Sequence, residues 1–414
     1  MKKETVSLMF VFTVAAAMAA NEAKPAARHV ENLTLDQALE MADRLQPELA
    51  EARAMVEAAE GRANQAGLFP NPEAIVGANQ LPLRSGAANE KEFVAGIGQT
   101  VPLGGRLGKA RQAELFDREV RARGLEVKRR GIRKRVHSAF ATALYQEKAW
   151  QAQREICLNA EKAVTTAAAR FQAGDVIRED VARAEMEAAR VKVEFQRAES
   201  LCQQSLVALA SAIGDATLAV KTLAGSLDAT FEIPTLENLI GNLAAQPEIA
   251  MADADVRAST ARVDLAKAER IPDVKVELLY HRLEASRENT LDVGLSIPLP
   301  LFNRNQGRLR EARAEAAAAE ARARMTQNEL TARLRESYLQ LTAALVNSRT
   351  LRTETLPKAD TVLRTAEARY AAGDASLVEI LPVRRDWAAV QLTYLESLRD
   401  VMQAWAGLQP YLKP

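Results

Sequence analysis

One heptapeptide, met twice, limits this chain more than anything else in it. Ala-Arg-Phe-Gln-Ala-Gly-Asp at residues 169–175 returns 199 residues later as Ala-Arg-Tyr-Ala-Ala-Gly-Asp at residues 368–374. Each copy closes a long stretch of helix formers, and the glycine at the stop (Gly174, Gly373) tolerates the left-handed backbone that ends many helices. Beyond the stop, apolar or small residues recur at alternating spacings of three and four. The first set is Val181, Ala184, Ala188, Val191, Phe195, Ala198, Cys202 and Ser205. The second is Ile380, Val383, Trp387, Val390, Tyr394, Ser397, Val401 and Ala404, each at the same offset of 199. A seam of this kind needs a partner helix, and the nearest is the one before the turn. The chain therefore reads as two copies of a long helical hairpin, each with an exposed tip.

Duplication outranks length as a guide to domains. The first repeat runs over residues 33–213 and the second over 235–408, joined by 214–234 and followed by a tail at 409–414. A net charge of +1 gives no one-signed field toward nucleic acid. Charged residues make up 26% and aromatics 5%, a balance suited to long helices. Residues 1–19 read as an export signal, with Lys2 and Lys3, an apolar run from Val6 to Ala17, and small residues at Ala17 and Ala19. Residues 20–32 read as a flexible lead-in. No later stretch approaches the ~20 apolar residues of a spanning helix. Cys157 and Cys202, placed on the two arms of the first hairpin, are displaced axially by over ~10 Å, too far for a disulfide.

Taken in order, residues 34–67 read as a helix, and a strand pair follows at 73–103. The long helix at 106–170, free of proline, would extend roughly 95 Å. The tip at 171–177 and a return helix at 178–213 complete the first repeat. The second repeat has a helix at 236–270, a strand pair at 273–299, a long helix at 303–370, a tip at 371–375 and a return helix at 376–408. Pro357 predicts a kink or break in that second long helix. In the second strand pair Val274, Val276, Leu278 and Tyr280 alternate with Lys275, Glu277 and Leu279, and Leu291, Val293, Leu295 and Ile297 alternate with Asp292, Gly294 and Ser296. One face is apolar and the other mostly polar, the pattern of a membrane barrel. Four strands cannot close a barrel, and lipid tolerates no open edge. Three chains would supply twelve strands around one axis. The fold class expected is mainly α with a small β part: duplicated hairpins forming a trimeric α-barrel, and four strands per chain in a shared twelve-stranded transmembrane β-barrel.

With these features the chain resembles the TolC-like outer-membrane factors, the exit ducts of tripartite efflux pumps. The resemblance covers nearly the whole mature chain. It is carried by the signal, the duplication, the two Ala-Gly-Asp tips, and two junction motifs. These are Gln-Thr-Val-Pro-Leu-Gly-Gly-Arg at 99–106 and Ser-Ile-Pro-Leu-Pro-Leu-Phe-Asn-Arg-Asn-Gln-Gly at 296–307. The junction motifs are most similar to the CzcC-type heavy-metal branch. The resemblance implies a homotrimer in outer-membrane lipid with a long periplasmic extension in a Gram-negative bacterium. It also implies docking at the tips by a periplasmic adaptor protein and an inner-membrane proton-driven pump of the RND type, and passive export of divalent heavy-metal cations. A drug-efflux or protein-secretion duct shares this architecture. A soluble periplasmic coiled-coil scaffold or adaptor is the alternative from another class.

By matched position, the adaptor-contact turns would be Ala173, Gly174, Asp175 and Val176 in the first tip, and Ala372, Gly373, Asp374 and Ala375 in the second. The same resemblance places a closing constriction at Asp180, Tyr370 and Glu379. The family's arginine partner falls on Ala375 here, so the closing contacts differ from the family pattern. Plain chemistry offers bland roles beside these. The glycines end helices, Ser376 and Glu379 match a capping box, and Asp180 suits a helix N-terminus. The polar strand residues Lys275, Glu277, His281 and Asp292 would face a water-filled lumen. No catalytic residue, cofactor site or resident metal site is expected. The glycines at 104–108 have neither the spacing nor the Ser/Thr of a phosphate loop, and the three histidines are scattered.

Overall fold

A computed structural model describes residues 29–81, 91–228 and 231–412. The signal and the turn at residues 84–86 lie outside the described residues. The first repeat consists of β1 (His29–Thr34), α1 (Leu35–Leu45), α2 (Pro47–Ala66), β2 (Glu73–Asn79), β3 (Glu92–Val101), α3 (Arg106–Ala173) and α4 (Arg178–Ile213). A strand β4 (Ala219–Ala224) leads to the second: α5 (Leu236–Gly241), α6 (Pro247–Ala268), β5 (Val274–Leu283), β6 (Asn289–Ser296), α7 (Gln306–Thr350), α8 (Leu356–Ala372) and α9 (Leu377–Leu408).

Both long helical hairpins are present, α3 with α4 and α7–α8 with α9. Helix α3 is one unbroken helix of 68 residues, roughly 100 Å long. Every residue of the two predicted seams is buried or half-buried, and the partner is the helix before the turn. Trp150 of α3 stacks on Phe195 of α4, and Trp387 of α9 donates to Asp360 of α8 at 2.6 Å. The cysteines, both unpaired, pack as small apolar residues.

Three details depart from the expectations. The helix read over 34–67 divides at Gln46, because Pro47 has no N–H to continue the ladder and instead opens α2. Gln46 then donates its side-chain amide to the Ala212 carbonyl at 2.7 Å, capping the end of α4. Secondly, residues 29–34 at the end of the lead-in and 219–224 in the joint form strands. Strand β1 pairs in parallel with β4, Leu33 against Leu223, both buried. Thirdly, the break expected at Pro357 takes the form of a π-helical turn: Leu351–Thr355 separates α7 from α8, and Pro357 lies in the first turn of α8, where its missing N–H costs no ladder bond.

The large core lies partway along the columns, where short elements wrap α3, α4 and α9. Leu39, Ile132, Phe140, Leu144, Leu209, Ile213 and Met402 are its fully enclosed or nearly enclosed members. A second cluster around Leu239, Leu334, Leu341 and Leu408 serves the other repeat. Charged flanks hold the columns in register: Asp117 on α3 receives Arg62 from α2 and Arg262 from α6, two arginines 200 residues apart.

The strands form one antiparallel sheet, ordered β2-β3-β5-β6. Its register assigns the faces, since opposed residues share one. One face carries Val76, Phe93, Ile97, Val276, Leu278, Tyr280, Leu291, Val293 and Leu295, all exposed, with Val76 at 85% and Val293 at 75%. The other face carries Glu73, Asn79, Glu92, Lys275, Glu277, His281 and Asp292. Gly96 sits at a close approach of β3 to β5: a Cβ there would lie 2.3 Å from the Leu278 carbonyl oxygen.

Candidate functional site at the helical tips

Both tips are closed by the same backbone device. Gly174 has φ of 85° and Gly373 of 83°. Beyond Gly174, the Asp175 N–H returns to the Arg170 carbonyl at 2.9 Å and the Gly174 N–H to Phe171 at 3.1 Å. The second tip repeats this from Asp374 to Arg369 and from Gly373 to Tyr370. These are Schellman closures. Conformation alone demands glycine here, because the space a side chain would occupy is empty at both. The turns are exposed from Ala173 to Asp175 and from Ala372 to Asp374.

The helix starts after the two turns differ. Ser376 and Glu379 form the expected capping box, with Ser376 Oγ 3.1 Å from the Glu379 carboxylate. Arg369 adds a contact to the same carboxylate at 3.5 Å. At the first tip Ile177 occupies the cap without a side-chain bond. There Glu179 pairs with Arg183 across one helical turn.

Within one chain the two tips lie side by side. Ala167 of α3, Ala184 of α4, and Leu377 and Ile380 of α9 make a small shared core, with Ala366 and Tyr370 of α8 packed against it. Below it, a recess of about 450 Å³ is lined by Arg170, Asp175, Val176, Asp180, Tyr370 and the second turn. The predicted Asp180 and Tyr370 are thus brought together. Glu379 is not in this recess; it is held by the cap and by Arg369.

Sequence matching missed the residue that links the two tips. Arg170 lays its guanidinium over the Tyr370 ring, 4.8 Å from the centroid, and donates to the Tyr370 carbonyl at 3.4 and 3.5 Å. Its repeat equivalent, Arg369, stays within its own tip. The signal was present in the heptapeptide, which carries arginine in both copies. Nothing in one sequence says which copy reaches across.

At the far end of the molecule the predicted polar strand residues share one face. Lys275 pairs with Glu73 at 2.9 Å and Glu277 at 3.0 Å. His281 contacts Glu92 through Nδ1 at 2.6 Å and Asp292 through Nε2 at 3.3 Å. Asn79 donates to Glu92 at 3.1 Å, which completes a polar line across all four strands. Because Glu92 and Asp292 meet different ring nitrogens, the three side chains do not converge on one ion. Among the described residues no helix is long and apolar enough to cross a membrane, and no group of three metal-ligating side chains could hold a metal.

Residues 38–215 and 241–412, one stretch in each repeat, match the family described as outer membrane efflux protein. Two curated proteins are similar over most of their length. The cobalt-zinc-cadmium resistance protein CzcC of Cupriavidus metallidurans is 27% identical over 372 residues, covering 90% of this chain and 88% of that protein. The pyoverdine export outer membrane protein OpmQ of Pseudomonas putida is 26% identical over 420 residues, covering 90% of this chain and 86% of that one. Among solved structures, CusC superposes with a TM-score of 0.79 over 92% of each chain, at 16% identity. The Vibrio cholerae outer membrane protein VceC does so with 0.74, covering 91% of this chain and 95% of that chain, at 19% identity.

Proposed function

The chain belongs to the outer membrane efflux protein family, and from that premise we propose that three copies ring one axis to form the exit duct of a tripartite pump exporting divalent heavy-metal cations. It is an outer-membrane protein with a long periplasmic helical extension. The observation that carries the proposal is the four-stranded sheet. It exposes a continuous apolar face on one side and a charged face on the other, and β2 and β6 have free outer edges among the described residues. A lone sheet of this kind is stable neither in water nor in lipid; copies joined edge to edge would satisfy both faces and the edges.

In this reading the long hairpins carry the duct across the periplasm. Ala173, Gly174, Asp175 and Val176, with Ala372, Gly373, Asp374 and Ala375, are the docking turns for a periplasmic adaptor, behind which an inner-membrane pump of the RND type supplies the driving force. Tyr370 and Asp180 shape the closed constriction together with Arg170. Glu379 contributes a ring of three carboxylates beside them, a feature that favours cations. The duct itself is a passive conduit. The metal cargo is supported by the resemblance to the cobalt-zinc-cadmium resistance protein.

A strain lacking this chain should lose tolerance to cobalt, zinc or cadmium salts, and its purified product should run as a detergent-dependent trimer. Sensitivity confined to organic compounds would move the cargo away from metals. A monodisperse monomer, soluble without detergent, would overturn the duct itself.

A further inference from the structure

The polar face of the sheet holds one pair of side chains whose hydrogen bonding does not close. His281 of β5 lies diagonally between Glu92 of β3 and Asp292 of β6. Glu92 is paired with Leu283 and Asp292 with Leu279, each two residues along from His281. The Glu92 carboxylate can only accept, so at 2.6 Å it receives the N–H of His281 Nδ1. Asn79 donates to the other oxygen of Glu92 at 3.1 Å and holds that carboxylate in place. A neutral imidazole carries one N–H, and Nδ1 has it. Nε2 is then a bare lone pair, shut off from solvent and without a hydrogen-bond partner. What it faces is a second acceptor, Asp292 Oδ2, at 3.3 Å.

Two acceptors brought together in this way are reconciled by a cation between them, and their separation says which kind. It is longer than the 2.7–2.9 Å or so of a charge-assisted hydrogen bond. A tetrahedral zinc ion, with nitrogen at about 2.0–2.1 Å and oxygen at about 2.0–2.2 Å, sets its ligand atoms about 3.3–3.5 Å apart. Glu92 behind Nδ1, and Asn79 behind Glu92, match the outer shell that orients metal-binding histidines. Access and charge agree with this. The side chain of His281 is 14% exposed and that of Asp292 63%, so the carboxylate is the open side. Glu73 and Glu277, nearer the helices on the same face, share Lys275. Among the described residues neither Glu92 nor Asp292 meets a lysine or arginine, and the uncompensated negative charge is left around His281.

We propose that His281 and Asp292 bind one divalent transition-metal cation of the zinc class on the polar face of each copy's sheet, with Glu92 and Asn79 as positioning residues. As a station for the exported ion this rests on the duct reading above; as a binding site it needs only this chain. An imidazole with a carboxylate suits zinc, cobalt or nickel and discriminates against magnesium and calcium, which favour oxygen alone. Two protein donors leave the other positions to water, so the ion is held weakly. A conducting pore requires that balance: binding favourable enough to admit the ion and weak enough to release it.

The test is a calorimetric titration of zinc chloride into the full-length protein, carrying no histidine tag, in detergent at pH 7. Zinc K-edge X-ray absorption reads the coordination. One zinc per chain should bind, with a single imidazole nitrogen among its ligands. His281→Ala should abolish the event, as should the bulkier His281→Gln if the alanine protein fails to assemble. Asp292→Asn should weaken binding tenfold or more, and Glu92→Gln about tenfold to a hundredfold. Glu73→Gln, which alters a carboxylate on the same face, should leave the affinity unchanged, and magnesium chloride should give no such event. Wild-type protein that binds no more zinc than His281→Gln overturns the site. An equal loss in Glu73→Gln overturns it too, by reducing it to a diffuse field of carboxylates, and magnesium binding as tightly as zinc overturns the metal class. The duct is judged separately by metal tolerance: a chain that binds no zinc yet restores tolerance sinks the site and leaves the duct standing, whereas zinc binding without restored tolerance upholds the site and counts against the metal cargo.

Discussion

Arg170→Ala offers the sharpest reading of the tips. In the folded chain this side chain is half-buried and reaches the other repeat in two ways. Its guanidinium lies 4.8 Å from the Tyr370 ring centroid, an interaction of about 1 kcal/mol at such exposure. It also donates to the Tyr370 carbonyl at 3.4 and 3.5 Å, near the outer limit for a hydrogen bond, adding roughly 0.5–1 kcal/mol. Each copy then loses about 1.5–2 kcal/mol of contact between its tips, a shift of roughly 10–30-fold in the balance between closed and open. If three copies open together, the factors multiply. The assay is the open probability of purified trimers in planar bilayers, with trimer integrity checked on a gel. The same geometry separates this link from one made through the phenol hydroxyl: Tyr370→Phe keeps both the ring face and the carbonyl, and should open no more often than wild type. Tyr370→Ala loses the ring and should resemble Arg170→Ala. Arg170→Lys retains charge without a flat guanidinium and should fall between. Intact Arg170→Ala trimers that stay closed as often as wild type would refute the link, as would an open Tyr370→Phe channel.

The remaining expectations concern the strands, the turns, the constriction and the buried acid. Gly96→Val drives a side chain into the Leu278 carbonyl, 2.3 Å from the first added carbon; the strand must shift at a cost of about 3 kcal/mol or more, read as loss of outer-membrane trimer with the chain retained in the periplasm. A tryptophan at Gly174 or Gly373 meets open space within the chain and costs only the left-handed backbone strain of about 1–2 kcal/mol at an exposed turn, so trimers should assemble while export, measured as metal tolerance, is abolished. Unchanged tolerance would remove docking from these turns. Glu379→Ala should make single-channel currents less cation-selective in a salt gradient, and it also removes a capping box worth about 1 kcal/mol at the second tip. Glu187 of α4, which burial alone would push up, is held at about 2 from an ordinary 4.5 by bonds from Arg190 and Arg385, and it contributes stability that is present above 4.5 and lost as pH falls toward 2. Its full contribution is on the order of 3 kcal/mol. The acid unfolding of Glu187→Gln should therefore lack that share of the decline, whereas between pH 5 and 7 the difference between the two proteins should be flat.

The hairpins were legible because their signal is local and doubled. A seam of small and apolar residues at 3,4 spacing means the same thing wherever it occurs, and a second copy at a fixed offset makes chance untenable. The alternation in β5 and β6 was legible for the same reason. It was weaker in β2 and β3, where Gly77, Gly96 and Gly98 dilute the pattern; the register explains Gly96 as a point of close backbone approach. The parallel pairing of β1 with β4 was not legible. Its partners lie about 190 residues apart, each strand has six residues, and no hairpin turn announces them. Pro47 is ambiguous in sequence, since proline at a first helical position starts a new helix more readily than it is tolerated inside one. Of the tip residues, the glycines and the capping box could be read from residue type and spacing. Arg170 could not, because its partner comes from the other repeat and its twin Arg369 has an identical local sequence signal.

That last point applies to the molecule as a whole. A duplicated chain begins with identical junctions, and a ring built from identical junctions opens at all of them or none. Here the repeats have diverged at the positions that face across a junction while keeping those that build each hairpin. The seam retains its register at all eight paired positions, and both turns retain glycine near φ of 85°. Between the two hairpins of one chain, Arg170 reaches Tyr370 while Arg369 folds back on Glu379, and Arg385 meets Glu187. At the offset of 199 the two linking bases correspond to Arg369 and Met186, so the repeat keeps one and drops the other.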